Sequence, residues 1–272
     1  MTSSRAALIA ALLFLPASSL QEDPKAEKEK ARQELKKKEE EAKAALKAYR
    51  EERAEAKETD DHVRAVDKLG EADPHALIRT ELLSVLNGPG LDPIRTAAAE
   101  ALHKYKKDPA ACDALIRHAK SREGADLRKR CLKSFGTIAT FGRSTDLQVL
   151  FNEDDSTIAR QAVDAVDAIG SVRMLRPLVD LLGELEQIRE GRDPAPPPGS
   201  RDPRGGDSGD DHRIRRKKEL LDPTKKAIST LWSKHGLGKA PKDATEATAV
   251  LAANRPKLKK IQEDEDAQDR GR

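Results

Sequence analysis

Cysteine and histidine are the residue types that most often supply nucleophiles and metal ligands, and the chain has two cysteines and six histidines. Cys112 and His118 are the types that a thiol–imidazole dyad needs, yet their six-residue spacing places them about 240° apart on a helix. No two histidines have the spacing of a metal site. The sequence therefore predicts neither a cysteine nucleophile nor a metal centre.

The two cysteines raise the separate question of a disulfide. Cys112 and Cys131 both fall on predicted inward-facing helix positions, and an oxidising compartment would permit them to pair. Two small buried thiols are the alternative, because free cysteine is among the most buried residue types. Spacing alone does not give the Cα separation that a disulfide needs, so both interpretations stay open.

Motifs of catalytic and nucleotide-binding sites are absent from the sequence. Residues 205–209 are Gly-Gly-Asp-Ser-Gly, but they lie in a proline-rich segment without a flanking strand. The chain has no nucleophile elbow, Walker loop or Rossmann fingerprint. We expect a protein that is not an enzyme and that binds no cofactor.

Two basic clusters are the remaining candidates for binding. The first contains Arg213, Arg215, Arg216, Lys217 and Lys218, and the second spans residues 255–260. Such clusters bind nucleic acid, anionic lipid or an acidic protein, or they form the solvated face of a helix. A net charge of only +3 and an aromatic content of 3% do not favour nucleic acid as the partner.

The elements that carry these residues follow from a segment that recurs. The stretches 92–102, 125–135 and 156–166 can be aligned on Ala98, Cys131 and Ala162. These residues lie 33 and 31 positions apart. Recurrence at this period is typical of stacked helical units.

Aspartate–proline pairs and glycines predict where the helices begin and end. Asp73-Pro74 and Asp108-Pro109 should begin helices, because proline is well tolerated in the first turn. Gly70 and Gly170 should close helices as C-caps, and a short helix is expected over 146–151.

Composition divides the rest of the chain. The predicted organisation is a signal peptide (1–19), a charged helix or spacer (22–58), a repeat array (60–190), a disordered Pro/Gly-rich insertion (191–211), a last repeat helix (212–236), a C-terminal helix (243–262) and a charged tail (263–272). The insertion is rich in proline and glycine and cannot bury a core, so it is predicted to be a flexible loop within the last repeat.

The first residues are typical of an export signal. Arg5 precedes an apolar run over 6–15, and small residues at 17–19 suit cleavage after Ser19. This apolar run is too short to span a bilayer, although an uncleaved membrane anchor is the alternative. We expect a periplasmic or extracellular protein.

The segment 22–58 consists mostly of Lys, Glu, Arg and Ala. Glu34 with Lys38, and Glu39 with Lys43, have the spacing of i,i+4 ion pairs on a helix. No a/d heptad seam runs through the segment, so a coiled coil would lack its core. A solvated single helix that acts as a spacer is one interpretation, and partial disorder is the other.

The predicted helical hairpins alternate an outer helix that begins with Asp-Pro and an inner helix with the pattern Asp-x-Ile-Arg-x-x-Ala-x-x-Ala-Leu, as in residues 92–102. This alternation resembles HEAT repeats, and it is most similar to the short bacterial type related to phycobilisome lyases. The resemblance covers residues 60–182 and, more weakly, 214–234. It implies an all-α fold, an α-solenoid of about four hairpins. It also implies a ladder between repeats, which Asp92 with Arg95 and Asp126 with Arg128 match.

Together these features predict an exported, non-catalytic scaffold that binds another protein through the solenoid surface. The candidate contact residues on the inner helices are Arg95, Glu100, Lys104, Lys129, Lys133, Gln161 and Asp164, and the cluster 213–218 is a further candidate. A ligand- or chromophore-handling protein, as the lyase relatives imply, is one alternative. A protein that binds an anionic polymer or a membrane surface through its basic patches is another.

Overall fold

The structure is a computed structural model that describes residues 24–188 and 209–271. Within these ranges the chain is helical and contains no strand, which confirms the predicted all-α class. The α-helices are α1 (Pro24–Glu55), α2 (Thr59–Glu71), α3 (Ala76–Asn87), α4 (Asp92–Ala101), α5 (Pro109–Lys120), α6 (Ala125–Ile138), α7 (Ser156–Ile169), α8 (Leu175–Gln187), α9 (Gly209–Lys234), α10 (Ala244–Ala253) and α11 (Arg255–Arg270). Three 3-10 helices in these ranges span Leu102–Lys104, Phe141–Asn152 and Val172–Met174. The predicted export signal and most of the Pro/Gly-rich insertion lie outside the described residues.

Two of the predicted helix ends are found where the sequence placed them. The Asp108 side chain accepts a hydrogen bond from the Ala111 N–H and caps α5, which begins at Pro109. Gly170 closes α7 in the left-handed conformation, with φ of 71°, which a residue with a side chain adopts rarely. The short helix expected over 146–151 is instead part of the 3-10 helix Phe141–Asn152.

Two other boundaries differ from the prediction. Helix α2 continues through Gly70 to Glu71, so Gly70 is not a C-cap. Helix α3 begins only at Ala76, after Asp73-Pro74, because the imidazole Nδ1 of His75 accepts the Leu77 N–H and makes His75 the N-cap.

Glycine and alanine meet where successive helices cross. A Cβ atom on Gly70 of α2 would lie 2.6 Å from the Cβ of Ala101 in α4. A Cβ atom on Gly136 of α6 would lie 2.9 Å from the Cα of Ala165 in α7. Ala101 and Ala165 occupy the same position in their copies of the recurring segment. The glycines are therefore needed for close packing of the helices, since neither site has room for a side chain.

The helices pack in a regular order along the chain. Helix α4 packs on α2 and on α6, α6 packs on α7, and α7 packs on α9. Beside them, α3 packs on α4, α5 on α6, and α8 on α9, while the 3-10 helix Phe141–Asn152 packs on α7. One continuous cluster of buried apolar side chains runs through these contacts, from Ala42 to Leu251.

The lead helix α1 has an exposed half and a docked half. Residues 27–41 are solvent-exposed, including Leu35, which is 68% exposed. Ala42, Leu46 and Tyr49 are buried, and this part of α1 contacts α2 and α3. The solvated helix that the sequence predicts is therefore found only in the first half, because the second half carries an apolar stripe at helical spacing.

The acidic residues of the predicted charged tail belong to α11, and one of them is buried. Glu265 is only 4% exposed. Its carboxylate accepts hydrogen bonds from the Ser171 hydroxyl and the Val172 N–H, both at 2.8 Å. Val172 is the first residue of a 3-10 helix, where the N–H has no partner within the helix. Glu265 therefore caps an element that is distant in sequence.

Asp269 performs the same role one turn later on α11. Its carboxylate accepts the N–H groups of Phe141 and Gly142 at 3.3 and 2.9 Å, at the start of another 3-10 helix. Asp266 lies between these acids and pairs with Arg173 at 2.5 Å. Three acidic side chains thus attach α11 to the rest of the molecule, and the C-terminal region is two helices rather than one helix and a tail.

Candidate partner-binding surface

Arg95, a predicted partner-binding residue, makes its contacts within the molecule. Its side chain is 11% exposed, and Nε donates to the Leu86 carbonyl at the end of α3 at 3.0 Å. Its guanidinium pairs with Glu123, in the turn before α6, and lies 3.5 Å from the Asp92 carboxylate. Arg95 therefore links two neighbouring hairpins and offers little surface to a partner.

Arg128 repeats this arrangement in the next copy. Its Nε donates to the Ala119 carbonyl at 2.9 Å, and its Nη2 lies 3.0 Å from the Glu153 carboxylate. Arg95 and Arg128 each lie nine residues after the carbonyl that they bind. The predicted pair with Asp126 does not form, because Asp126 pairs instead with Lys129 at 2.7 Å. In both copies, the ion pair that links neighbouring repeats is formed by an arginine and a glutamate from the following turn.

The third copy obtains its arginine from a different helix. Ala159 occupies the position equivalent to Arg128, and the neighbouring Arg160 is exposed. Leu150 occupies the position equivalent to Leu86 and Ala119, and the carbonyl of the next residue, Phe151, accepts a hydrogen bond at 2.5 Å from Arg216 of α9. Arg216 was predicted only as part of a basic cluster, and its contact could not be read from the repeat period.

The rest of this basic cluster is divided between internal and exposed roles. Lys217 donates to the Ile188 carbonyl at 2.9 Å, and Arg215 pairs with Glu219 at 3.0 Å. Arg213 and Lys218 are exposed. The structure therefore does not present the five residues as one continuous basic surface.

A shallow cavity of about 190 Å³ lies between α4 and α6. It is lined by Glu100, His103, Arg130, Lys133, Ser134 and Thr137. The Arg130 guanidinium pairs with the Glu100 carboxylate at 2.7 Å, and His103 Nδ1 lies 2.6 Å from the Glu100 carbonyl oxygen. Lys133 is exposed and has no ion-pair partner in the described part of the chain. We call these six residues the α4–α6 cavity.

Charge alternates along the helices on either side of this cavity. Glu100, Lys133 and Asp164 occupy the same position in the three copies of the recurring segment, and all three are exposed. Their helices α4, α6 and α7 are successive neighbours. Burial, assisted by the charge of Glu100, raises the pKa of Asp67 on α2. These three side chains are therefore negative on α4, positive on α6 and negative on α7, and the two acids have basic neighbours, Arg130 beside Glu100 and Arg160 with Lys226 near Asp164.

The remaining predicted contact residues lie outside the cavity. Lys104 donates to the Glu71 carbonyl at 2.9 Å, and Gln161 is half-buried on α7.

Sequence reasoning missed Arg130 and His103. The other copies have Ala97 and Gln161 at the position of Arg130, so the repeat itself contained no signal for that charge.

Cys112 and Cys131 are free, buried thiols in the structure. Burial raises the pKa of the Cys112 thiol to about 11 and that of Cys131 to about 12. A thiol with such a pKa is almost entirely protonated at neutral pH and is a poor nucleophile. Cys131 shares its position with Ala98 and Ala162, which indicates that it acts as a small packing residue.

The described residues 24–188 and 209–271 contain no group of three or more His, Cys, Asp or Glu side chains that could hold a metal ion. Among the helices of these ranges, none combines the length and the apolar character that a membrane span requires. No protein-family model matches the chain, and a search of curated proteins finds no similar sequence. The HEAT-like resemblance therefore depends on the recurring residues alone.

Proposed function

We propose that the protein is an exported, non-catalytic scaffold with a HEAT-like solenoid fold, which binds another protein through the α4–α6 cavity and its flanking charges. The order of helix contacts supports the solenoid, since α2, α4, α6, α7 and α9 each pack on the next. The repeated arginine–carbonyl bonds of Arg95 and Arg128 support it independently.

The binding proposal depends mainly on the different environments of Lys133 and of the two arginines, Arg95 and Arg128. Arg95 and Arg128 are used inside the fold, whereas Lys133 is exposed in the cavity without an ion-pair partner among the described residues. Neighbouring helices lie about 8–10 Å apart, so the charges of Glu100, Lys133 and Asp164 repeat at roughly that spacing. The complementary partner is a protein segment with an acidic group opposite Lys133, because Glu100 already pairs with Arg130 and Asp164 has Arg160 and Lys226 near it.

Site-specific crosslinking tests this surface. A photoreactive benzoylphenylalanine replaces Thr137, which lines the cavity, and a control chain carries it at the exposed Val149. In the exported fraction of the native host, we expect one crosslinked protein at position 137 and not at 149. Adding Lys133→Glu should abolish that product, and high salt should weaken it.

Lys129→Glu is the matched control, because Lys129 is a lysine of the same helix that already pairs with Asp126. It should leave the crosslink at position 137 unchanged. Equal crosslinking at positions 137 and 149, or a product that persists with Lys133→Glu, would contradict the proposed surface.

Export is proposed on the order of charged, apolar and small residues over 1–19. Amino-terminal sequencing of the protein purified from its native host tests it. We expect the mature chain to begin at Leu20, and a chain that begins at Met1 in the cytoplasm would contradict export.

A further inference from the structure

A cavity of about 350 Å³ lies where α1 docks on α2 and α3, apart from the α4–α6 cavity. Tyr49 and Arg53 of α1, His62 and Val66 of α2, Val85 of α3 and Ile94 of α4 form its principal walls. The cavity therefore exists only because the second half of α1 packs on the other helices. This volume could hold about a dozen water-sized groups, and it is within the range of small-ligand sites.

The floor of this cavity is apolar. Val66 and Val85 are buried members of the core, Ile94 packs against them, and the buried ring of Tyr49 forms a side wall. Water in contact with such a floor gains few hydrogen bonds. A compact apolar group that displaces it would gain roughly 25 cal/mol for each Å² of apolar surface removed from water.

The rim of the cavity is polar and carries positive charge. Arg53 Nη1 donates to the Tyr49 hydroxyl at 3.4 Å, and its guanidinium carbon lies 6.0 Å from the centre of the Tyr49 ring. Glu81 is the acidic neighbour, at 3.9 Å from Arg53 and 3.6 Å from Arg50. Of these charged groups only the Arg53 guanidinium lines the cavity, together with the imidazole of His62. The excess charge at the rim is positive.

We propose that this cavity binds a small carboxylic acid with a compact aromatic or branched apolar body. The apolar part occupies the floor formed by Val66, Val85 and Ile94, and the carboxylate accepts hydrogen bonds from Arg53 at the rim. The Tyr49 hydroxyl, in the cavity wall beside Arg53, is the second donor. This site is independent of the proposed partner surface.

Nuclear magnetic resonance titration of the full-length mature chain with 3-phenylpropionate tests the proposal. We expect saturable shifts of the amide signals of Val66, Val85, Gly88 and Gly90. The neutral analogue 3-phenylpropanol should bind about fivefold to tenfold more weakly, because it cannot form a charge-assisted hydrogen bond with Arg53. Equal binding of acid and alcohol, or no saturable shift, would overturn the carboxylate proposal. Binding of a peptide that ends in phenylalanine, without binding of the free acid, would overturn it as well.

Two variants separate binding from folding. A Cβ atom on Gly90, in the cavity wall, would have only the Arg95 side chain near it, at 3.9 Å, so Gly90→Phe introduces a ring at the cavity wall at a position with room for its Cβ. It should abolish the shifts and leave the melting temperature nearly unchanged. Arg53→Gln should weaken 3-phenylpropionate about fivefold and leave 3-phenylpropanol unaffected.

Arg64→Gln is the matched control, since Arg64 of α2 pairs with Asp61 and does not line the cavity. It should bind 3-phenylpropionate as the unaltered chain does. Unchanged binding in Gly90→Phe, or equal weakening by Arg64→Gln and Arg53→Gln, would place the ligand elsewhere. Lys133→Glu should not alter this binding, so failure here is distinguishable from failure of the partner surface.

Discussion

The two ends of the described chain carry helices of similar composition but different environment. The first half of α1 and the whole of α11 are both rich in charged residues and poor in large apolar ones. The first half of α1 is exposed and forms i,i+4 pairs within itself, such as Lys37 with Glu41 at 3.8 Å. Helix α11 is attached by Glu265, Asp266 and Asp269. Charge density therefore does not predict whether a helix is solvated.

The difference lies in what each helix meets. The acids of α11 lie opposite N–H groups at the starts of two 3-10 helices, which have no partner within their own helix. The exposed half of α1 meets no such groups in the described chain. The second half is attached by the apolar stripe that begins at Ala42 and by ion pairs of Arg50 and Arg53 with Glu81 of α3 and of Glu52 with Lys68 of α2. Helix α11 is attached by buried hydrogen bonds in addition to the apolar contacts of Leu258 and Ile261, whereas α1 is attached by an apolar stripe and ion pairs.

The largest expected effect on the free energy of unfolding comes from weakening the apolar contacts of α1 with the other helices. Leu46→Ala should lower the free energy of unfolding by about 2–4 kcal/mol, because it removes a buried side chain and leaves a cavity. Urea denaturation followed by circular dichroism measures this effect. A change below about 0.5 kcal/mol would mean that the second half of α1 does not dock.

Removal of the buried acid of α11 should have the next largest effect. Glu265→Ala leaves the Val172 N–H and the Ser171 hydroxyl buried without their acceptor, which costs about 1–3 kcal/mol. Glu265→Gln retains an acceptor for Val172, and the Ser171 hydroxyl can rotate to accept from the new amide. In the same urea experiment the glutamine variant should be more stable than the alanine variant. Equal losses would contradict a hydrogen-bonded attachment.

The pH dependence of stability tests the same residue. Burial raises the pKa of Glu265 in the folded protein, although Val172, Ser171 and Arg173 oppose this shift. The folded state therefore binds the proton more tightly than the unfolded state. The contribution of Glu265 to stability is present below the usual glutamate pKa and is lost as the pH rises through the raised value. Thermal melts across this range should show a smaller decline for Glu265→Gln than for the unaltered protein.

A smaller effect on the free energy of unfolding is expected for Asp269 of α11, which caps the 3-10 helix Phe141–Asn152. Asp269→Ala removes the acceptor for the Phe141 and Gly142 N–H groups, and water can replace it because Gly142 is exposed. The loss should be about 1 kcal/mol, as for other helix caps. Amide hydrogen exchange should accelerate at Phe141 and Gly142 first, and no change there would mean that Asp269 is not the cap.

The smallest effect is expected in the exposed half of α1. Leu35→Ala should change the free energy of unfolding by less than about 0.5 kcal/mol, because this side chain is already in solvent. A loss as large as that of Leu46→Ala would contradict the division of α1 into two halves.

The fold class and several helix ends were predictable because they depend on residues within one or two turns. The Asp108 cap and the left-handed Gly170 each follow from a side chain and the backbone beside it. Of the residues that line the α4–α6 cavity, only Glu100 and Lys133 were predicted as contact residues, since the charged Arg130 lies where the other copies have no charge. The repeat period predicts the residues that the copies share, but it gives no information about the positions at which the copies differ.

Local sequence is sufficient to predict helices, caps and the small residues that recur at Ala98, Cys131 and Ala162, because these depend on short-range hydrogen bonds and on periodicity. Contacts between distant segments are known only from the packed chain. The bonds of Arg216 to the Phe151 carbonyl, and of Glu265 to the Val172 N–H, join residues 65 and 93 positions apart. Such pairs form only after apolar packing has brought the helices together. The sequence around one partner therefore does not predict which distant residue it will contact.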